Sequence, residues 1–302
     1  MAMSGRAMSN LDQTLVAAHT GTFWKLHACG NSAIMMKSYG ALPTSEQVRN
    51  MILRGPTYAR ADNLLLFRTP KGRQGLDIIV EGFNADGSRV GLCGNGARCL
   101  LWLAVELGEL PLRQEAYHML MDETRITLHI ENFDEHTVSM IVQPPSFDPD
   151  TIPFKGDASN GKLSILGNLY EYVVVNVGNP HCIIFVPELL DPHMLKEAAE
   201  VLQKDSFLFP EGVNVSICKI ENGSQVRARI YERGVGLTTS SGTGSVAIAS
   251  AARSFKGLSE KIAVCMDGGT QIVEWKGGAS PIKATTRVTY VASGEYETAL
   301  TH

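Results

Sequence analysis

Two stretches of the chain are apolar on nearly every side. ARCLLWLAVELG (Ala97 to Gly108) and SVAIASAARSFKG (Ser245 to Gly257) each run for about three helical turns and close on a glycine, which readily takes the left-handed backbone at a helix end. This pattern predicts two buried helices. Short runs of alternating or β-branched residues predict strands at Asp77 to Glu81, Arg125 to Ile130, Thr137 to Val142, Gln225 to Tyr231 and Lys261 to Met266. Each apolar helix therefore belongs inside a sheet-rich half.

The two helical stretches also sit in a repeat. FNADGSRVGLCGNGARC (Phe83 to Cys99) aligns with YERGVGLTTSSGTGSVA (Tyr231 to Ala247), which matches Cys93 to Ser241, Gly94 to Gly242 and Gly96 to Gly244 at an offset of 241 − 93 = 148. Gly30-Asn31 aligns with Gly178-Asn179 at the same offset, 179 − 31 = 148. Two motifs in one register predict an α+β protein of two pseudo-symmetric domains of like fold. The expected division is an N-terminal tail at 1–21, a first domain at 22–145 and a second at 146–302, with the last strand free to return to the first domain. The Pro- and Gly-containing stretch from Pro144 to Gly167 reads as the linker, with Ile152, Phe154 and Leu163 to Leu166 as apolar positions able to pack.

Composition narrows the function classes. The 302-residue chain has a formal net charge of −4 and no broad basic surface, so nucleic acid is not an expected partner. No apolar stretch reaches the roughly 18 residues that span a bilayer, and the N-terminal segment lacks the pattern of a secretory signal. A soluble protein follows as the expectation. The six cysteines are scattered rather than clustered, which suits reduced thiols in a cytoplasmic protein, and no Cys/His group has zinc-like spacing. No metal is expected.

CGNGAR and SGTGS are each a glycine-rich start to a helix, where free backbone N–H groups and a partial positive charge can hold an anion. If the halves face each other, two such helix ends can share one carboxylate. There is no G-x-x-x-x-G-K-[ST] motif, no G-x-G-x-x-G spacing and no G-x-S-x-G around Ser241, so nucleotide, nicotinamide and serine-hydrolase readings are disfavoured. A thiol at a helix N-terminus, as at Cys93, is expected to have a lowered pKa and to serve as a base. The alternative is a small buried thiol that only packs.

Taken in order, FWKLHACGN, FNADGS with CGNGARC, VGNPH, GVNV, and YERGVG with SGTG resemble the diaminopimelate epimerases over nearly all of Phe23 to Tyr290. The resemblance implies inversion of an amino-acid α-carbon without pyridoxal phosphate, metal or other cofactor, as in lysine and cell-wall biosynthesis. It implies an amino-acid substrate bound in a cleft between two domains, each a sheet wrapped around a central helix, and it allows a homodimer. Carried over by position, Cys93 is one acid/base, assisted by His181, and Ser241 holds the place of the second cysteine, assisted by Glu232. Asn31, Asn63, Asn84, Asn179, Asn214, Glu232 and Arg233 match substrate-contacting positions, with Arg233 suited to a second carboxylate. Gly94, Asn95, Gly242 and Thr243 complete the helix starts, Asn95 and Thr243 through backbone N–H groups.

The sequence departs from the family at three places. Ser32 stands where the first motif has Asp, Tyr58 to Asn63 replaces a glycine-rich stretch with Asn63 for Gln, and Ser241 replaces Cys. The last is the most serious. A thiol titrates near ~8.5 and an aliphatic hydroxyl between ~10 and ~15.7, so at ~1.36 kcal/mol per unit the serine anion costs at least ~2 kcal/mol more. Four readings stay open at this point: an epimerase or racemase relaying a proton through Ser241, a one-base enzyme such as a dehydratase, an epimerase with Cys replaced by Ser to trap a complex, and a non-catalytic amino-acid-binding homologue.

Overall fold

The computed structural model describes residues 19–38, 42–53, 60–70, 75–156, 160–165, 167–189, 191–205 and 207–298. Tyr58, Ala59 and Leu166, singled out above, lie outside the described residues. The first half contains β1 (His19–Ala28), β2 (Asn31–Lys37), α1 (Ser45–Leu53), β3 (Asn63–Arg68), β4 (Ile78–Asn84), α2 (Gly94–Glu106), β5 (Tyr117–Met121), β6 (Thr124–Asn132) and β7 (Thr137–Val142). The second contains β8 (Asn160–Ile165), β9 (Asn168–Asn176), β10 (Pro180–Phe185), α3 (Pro192–Lys204), β11 (Asn214–Asn222), β12 (Gln225–Glu232), β13 (Gly236–Thr238), α4 (Gly242–Lys256), β14 (Lys261–Met266), β15 (Gly269–Glu274) and β16 (Ile282–Thr298). The protein is mostly β.

Strand order repeats with the sequence. In the first half β1 and β2 form a hairpin, β2 runs parallel to β3 across α1, β3 turns back as β4, and β4 runs parallel to β5 across α2. The second half does the same with β9, β10, α3, β11, β12, α4 and β14. Parallel neighbours need a long crossover, and each of the four helices supplies one. The registers correspond: Ala33 lies opposite Asn63 in one half and His181 opposite Asn214 in the other, with 181 − 33 = 148 and, after a crossover three residues longer, 214 − 63 = 151.

The 17-residue β16 binds the halves together. Its beginning, Ile282 to Arg287, pairs with β7, and Ile272 to Glu274 of β15 pair with Lys283 to Thr285 on its other side. Its end, from Val288 onward, pairs with β1 and closes the first-half sheet into a barrel. Residues 19–21, expected in the tail, are therefore part of strand β1. The expected linker is also more structured than its Pro and Gly content suggests, since it holds β8 and a 3₁₀ turn at Pro149–Thr151, and Ile152 and Phe154 are buried.

Both apolar helices are central. Residues Asn95 to Val105 of α2 are buried in a core that includes Leu26, Leu65, Met119 and Leu128, and Gly244 to Ala252 of α4 are buried among Val175, Ile183, Ile230 and Val264. Each ends as the glycine pattern predicts, with positive φ at Gly108 and Gly257. Each begins three residues earlier than the apolar run, because a side chain just upstream caps it. Strands at Thr137–Val142 and Lys261–Met266 coincide with the sequence reading, and that at Asp77 to Glu81 is longer, reaching Asn84.

Candidate active site

Cys93 and Ser241 are those capping residues. Both have extended backbone, and each side chain accepts a hydrogen bond from the N–H three residues on: Cys93 Sγ from Gly96 N at 3.3 Å, Ser241 Oγ from Gly244 N at 3.1 Å. This is ordinary capping geometry for a serine. Both caps need a glycine there: a Cβ on Gly96 would lie 3.0 Å from Cys93 Sγ and 2.6 Å from Leu65, and one on Gly244 would lie 3.0 Å from Ser241 Oγ. Gly94, Asn95, Gly242 and Thr243 form the first turns, whose leading N–H groups have no partner within the helix. Asn95 does more than expected, since its side-chain oxygen also accepts from Arg98, at 3.4 Å.

Around Cys93 stand the ends of three strands. Its Sγ lies 3.6 Å from Asn31 Oδ1, at the start of β2, and 3.4 Å from Asn63 Oδ1, at the start of β3. Asn63 in turn donates to Asn84 Oδ1, at the end of β4, over 3.2 Å. Asp62 takes hydrogen bonds from Ser32 N and Oγ at 2.7 and 2.9 Å, so Ser32 serves as its donor where a second carboxylate would repel it. The thiol itself corrects an expectation. Burial raises its pKa, and the charges of Asp62 and Glu232 add to the rise, against the lowering effects of the Gly96 N–H and of Arg98. The helix N-terminus is present, but desolvation outweighs it.

The second cluster is built on equivalent strands and carries different chemistry. Glu232 ends β12, accepts from Thr238 Oγ1 at 3.1 Å and shares a hydrogen bond with Ser241, while burial raises its carboxyl pKa. Glu232 is thus close enough to bond Ser241 and to act on the Cys93 thiol, and α2 and α4 are in contact. Glu232 links the two helix starts.

Asn179, His181, Asn214 and Arg233 group beside it. His181 is fully buried, with Nε2 at 3.0 Å from Asn179 Oδ1, and burial together with the Arg233 charge lowers its pKa to about 3. Pairing with an amide oxygen puts the imidazole proton on Nε2 and leaves Nδ1 an acceptor, which has no hydrogen-bond partner among the described residues. Its neighbours include Asn179 and Arg233. Asn214 donates to Pro180 O at 3.0 Å and accepts from Arg233 N at 2.9 Å, and the exposed Arg233 guanidinium donates to Glu211 O. Asp62 and Arg98 escaped the sequence reading. A lone charge inside the apolar run of α2 was the available signal for the second.

Cavities of about 410 and 540 Å³ lie elsewhere, against β8 and α3 and beside Pro149 to Gly156. Among the described residues no three His, Cys, Asp or Glu side chains gather as a metal site, and no helix is long and apolar enough to cross a membrane.

The fold recurs in solved structures. A phenazine biosynthesis protein of the PhzF family from Bacillus anthracis superimposes with a TM-score of 0.63 at 16% identity, over 92% of this chain and 99% of that one. A hydroxyproline epimerase from Agrobacterium vitis gives 0.58 at 13% identity, covering 92% of both chains. With its relatives named diaminopimelate epimerase, this is an isomerase of the amino-acid epimerase and racemase class. Closer relatives narrow the class. The sequence model of the diaminopimelate epimerase family matches residues 173–291. Proteins named diaminopimelate epimerase from Legionella pneumophila and Coxiella burnetii are 34% and 32% identical over 281 residues, covering 90% and 91% of this chain and 97% and 98% of their own. The chain belongs to the diaminopimelate epimerase family.

Proposed function

We infer that the protein interconverts LL- and meso-diaminopimelate by moving one proton between Cys93 and the Ser241–Glu232 pair across the substrate α-carbon. The observation that carries this is the Glu232 carboxyl, which is bonded to Ser241 and acts on Cys93 from the other half of the chain. Residues 22–145 and 146–302 act on this reading as two domains with the site between them.

Serine is a poor base, so the second position works as a relay. In one direction the Cys93 thiolate takes the α-proton. Ser241 donates its proton to the opposite face of the carbanion and regains one from the protonated Glu232. The products are a Cys93 thiol, an intact Ser241 hydroxyl, a Glu232 carboxylate and the inverted amino acid, so one proton has crossed the site. The reverse direction begins from that state. Burial of Glu232 favours the neutral carboxyl that the relay needs.

Binding follows from the same parts. The first-turn N–H groups of α2 and α4 hold the α-carboxylate, and Arg233 holds the distal one, with Asn214 and Glu211 fixing its backbone and guanidinium. His181, neutral and bonded to Asn179, contributes an uncharged acceptor.

The test is incubation with LL-diaminopimelate in deuterium oxide, following α-deuteration and stereochemistry. The parent is expected to exchange and invert, Ser241→Cys to do both at least tenfold faster, and Cys93→Ala to lose both from the LL isomer. No exchange by parent or Ser241→Cys would sink the substrate assignment. The weak basicity of serine also supports a one-base reading, which exchange without inversion, or a keto-acid product, would favour. Binding of amino acids with no exchange would point to a binding protein.

A further inference from the structure

Arg98 is the largest fully buried side chain among the described residues, with no measurable exposure. It sits five residues after Cys93, and its Nη1 would lie 3.4 Å from a Cβ placed on Gly94. Its guanidinium donates to Asn95 Oδ1 at 3.4 Å and to Ala284 O of β16 at 3.0 Å, while Nε has no partner. No carboxylate pairs with it among the described residues: every other arginine in an ion pair meets an Asp or Glu, and Arg98 does not. A buried cation in this state is costly unless an anion forms beside it.

The ionisable groups that sense it are three thiols, Cys29, Cys99 and Cys93. Cys99 is a buried residue of α2 itself, and Cys29 is held in the β1–β2 turn with its Sγ 2.9 Å from Thr286 Oγ1. Cys93 alone of the three caps the helix at the site. The charged groups that act on Cys93 are Asp62 from the turn before β3, Glu232 from the end of β12, and Arg98, whose guanidinium lies beside Gly94. The first two oppose a thiolate. Arg98 is the one cation among them.

We propose that Arg98 is the buried countercharge of the Cys93 thiolate, a positioning residue that acts through the first turn of α2 from the side away from the substrate. In the resting thiol state Arg98 is an uncompensated charge, and loss of the Cys93 proton pairs it. Burial brings its own pKa down to about 10, which leaves it charged at neutral pH. The arrangement rests on the acid/base role given to Cys93 above. It offsets part of the desolvation that opposes a thiolate base, because the low-dielectric surroundings that penalise the lone anion also lengthen the reach of the guanidinium charge.

The test is the pH dependence of Cys93 alkylation by iodoacetamide, read on its own peptide by mass spectrometry so that the other cysteines do not interfere. Arg98→Gln keeps hydrogen bonding and removes charge, and it is expected to raise the alkylation midpoint by at least about one pH unit, tenfold in thiolate at a given pH. Arg98→Lys keeps charge and is expected to restore more than half of that shift. Where Arg98→Gln does not fold, Arg98→Met replaces it, since an apolar side chain of similar volume is the substitute a buried unpaired charge best tolerates. A midpoint unchanged in the folded neutral variant, or raised equally by Lys, overturns the proposal. The readout needs no turnover. A shift in a protein that exchanges no α-proton upholds Arg98 and overturns only the reaction, whereas unchanged midpoints in an active protein do the reverse.

Discussion

Asn84 and Glu232 occupy one position in the two halves, each ending the strand that leads into a capped helix, with 232 − 84 = 148. One copy presents a neutral amide, tied through Asn63 to Cys93, and the other a carboxyl tied to Ser241. The capping groups and the strand ends therefore differ together. The thiol has an uncharged neighbour, and the hydroxyl, which cannot work as a base alone, has an acid.

Placing the same acid in both copies should harm the first. Asn84→Asp changes charge with little change of shape, and it sets a carboxylate one hydrogen-bonded residue away from Cys93. The Cys93 alkylation midpoint is expected to rise by at least about half a pH unit, roughly threefold in thiolate. Epimerisation at neutral pH should fall by a similar factor. An unmoved midpoint would separate Asn84 from the thiol.

The pH–rate profile should be a bell. Both directions draw on the same singly protonated Cys93/Glu232 pair, which is lost when the pair gains a second proton at low pH and when it loses its last at high pH. Burial raises both pKa values, so the acid limb of kcat/KM should lie above the usual carboxylate range and the alkaline limb above the usual thiol value. Glu232→Gln should abolish the acid limb and lower kcat at least a hundredfold. A surviving acid limb in that variant would assign it elsewhere.

The glycines of the two helix starts should divide by position. A methyl on Gly244 would meet Ile230 at 2.5 Å and Ser241 Cβ at 2.9 Å, whereas one on Gly242 meets no heavy atom within 4 Å. Gly244→Ala is expected to cost about 1–3 kcal/mol in urea unfolding, as overpacked sites do. Gly242→Ala should leave stability within about 0.5 kcal/mol yet raise KM, because its effect falls on the approach of the substrate carboxylate. Equal stability losses would remove the distinction.

His181 makes a prediction about stability. Its folded pKa, about 3, lies below the usual 6.5, so the unfolded chain binds the proton first as pH falls. Its stabilising contribution is present above pH 6.5 and declines toward pH 3, by about 2 kcal/mol between pH 6.5 and pH 5. His181→Gln should flatten this part of the slope in urea titrations at pH 7 and pH 5. An unaltered slope would show that the imidazole is not buried neutral.

Much of this was legible because it is periodic. The apolar runs of α2 and α4, their closing glycines and the 148-residue register all follow from spacing, and the register alone pairs Cys93 with Ser241. What spacing cannot carry is desolvation. The helix N-terminus at Cys93 suggests a lowered thiol pKa, and only the packing of Leu65, Asn31 and Asn63 around it reveals the opposite. Arg98 was hidden for a related reason: a single arginine in an apolar run gives no sign of whether its charge reaches solvent. His181 was visible as a residue, but its partner Asn179 lies two positions away in the turn before β10, a contact that depends on that turn.

Strand β16 has a consequence for how the protein is made. The first-half barrel is closed by pairing His19 to Ala28 with Val288 to Thr298, so β1 waits for a strand made only after the whole second half. During synthesis the first half emerges from the ribosome with an open seam beside β1, and α2 cannot be fully enclosed until β16 has been made. Cys93 is thus made early and housed late. Premature termination before β16 would leave this thiol, and the edge of β1, without the strand that shelters them.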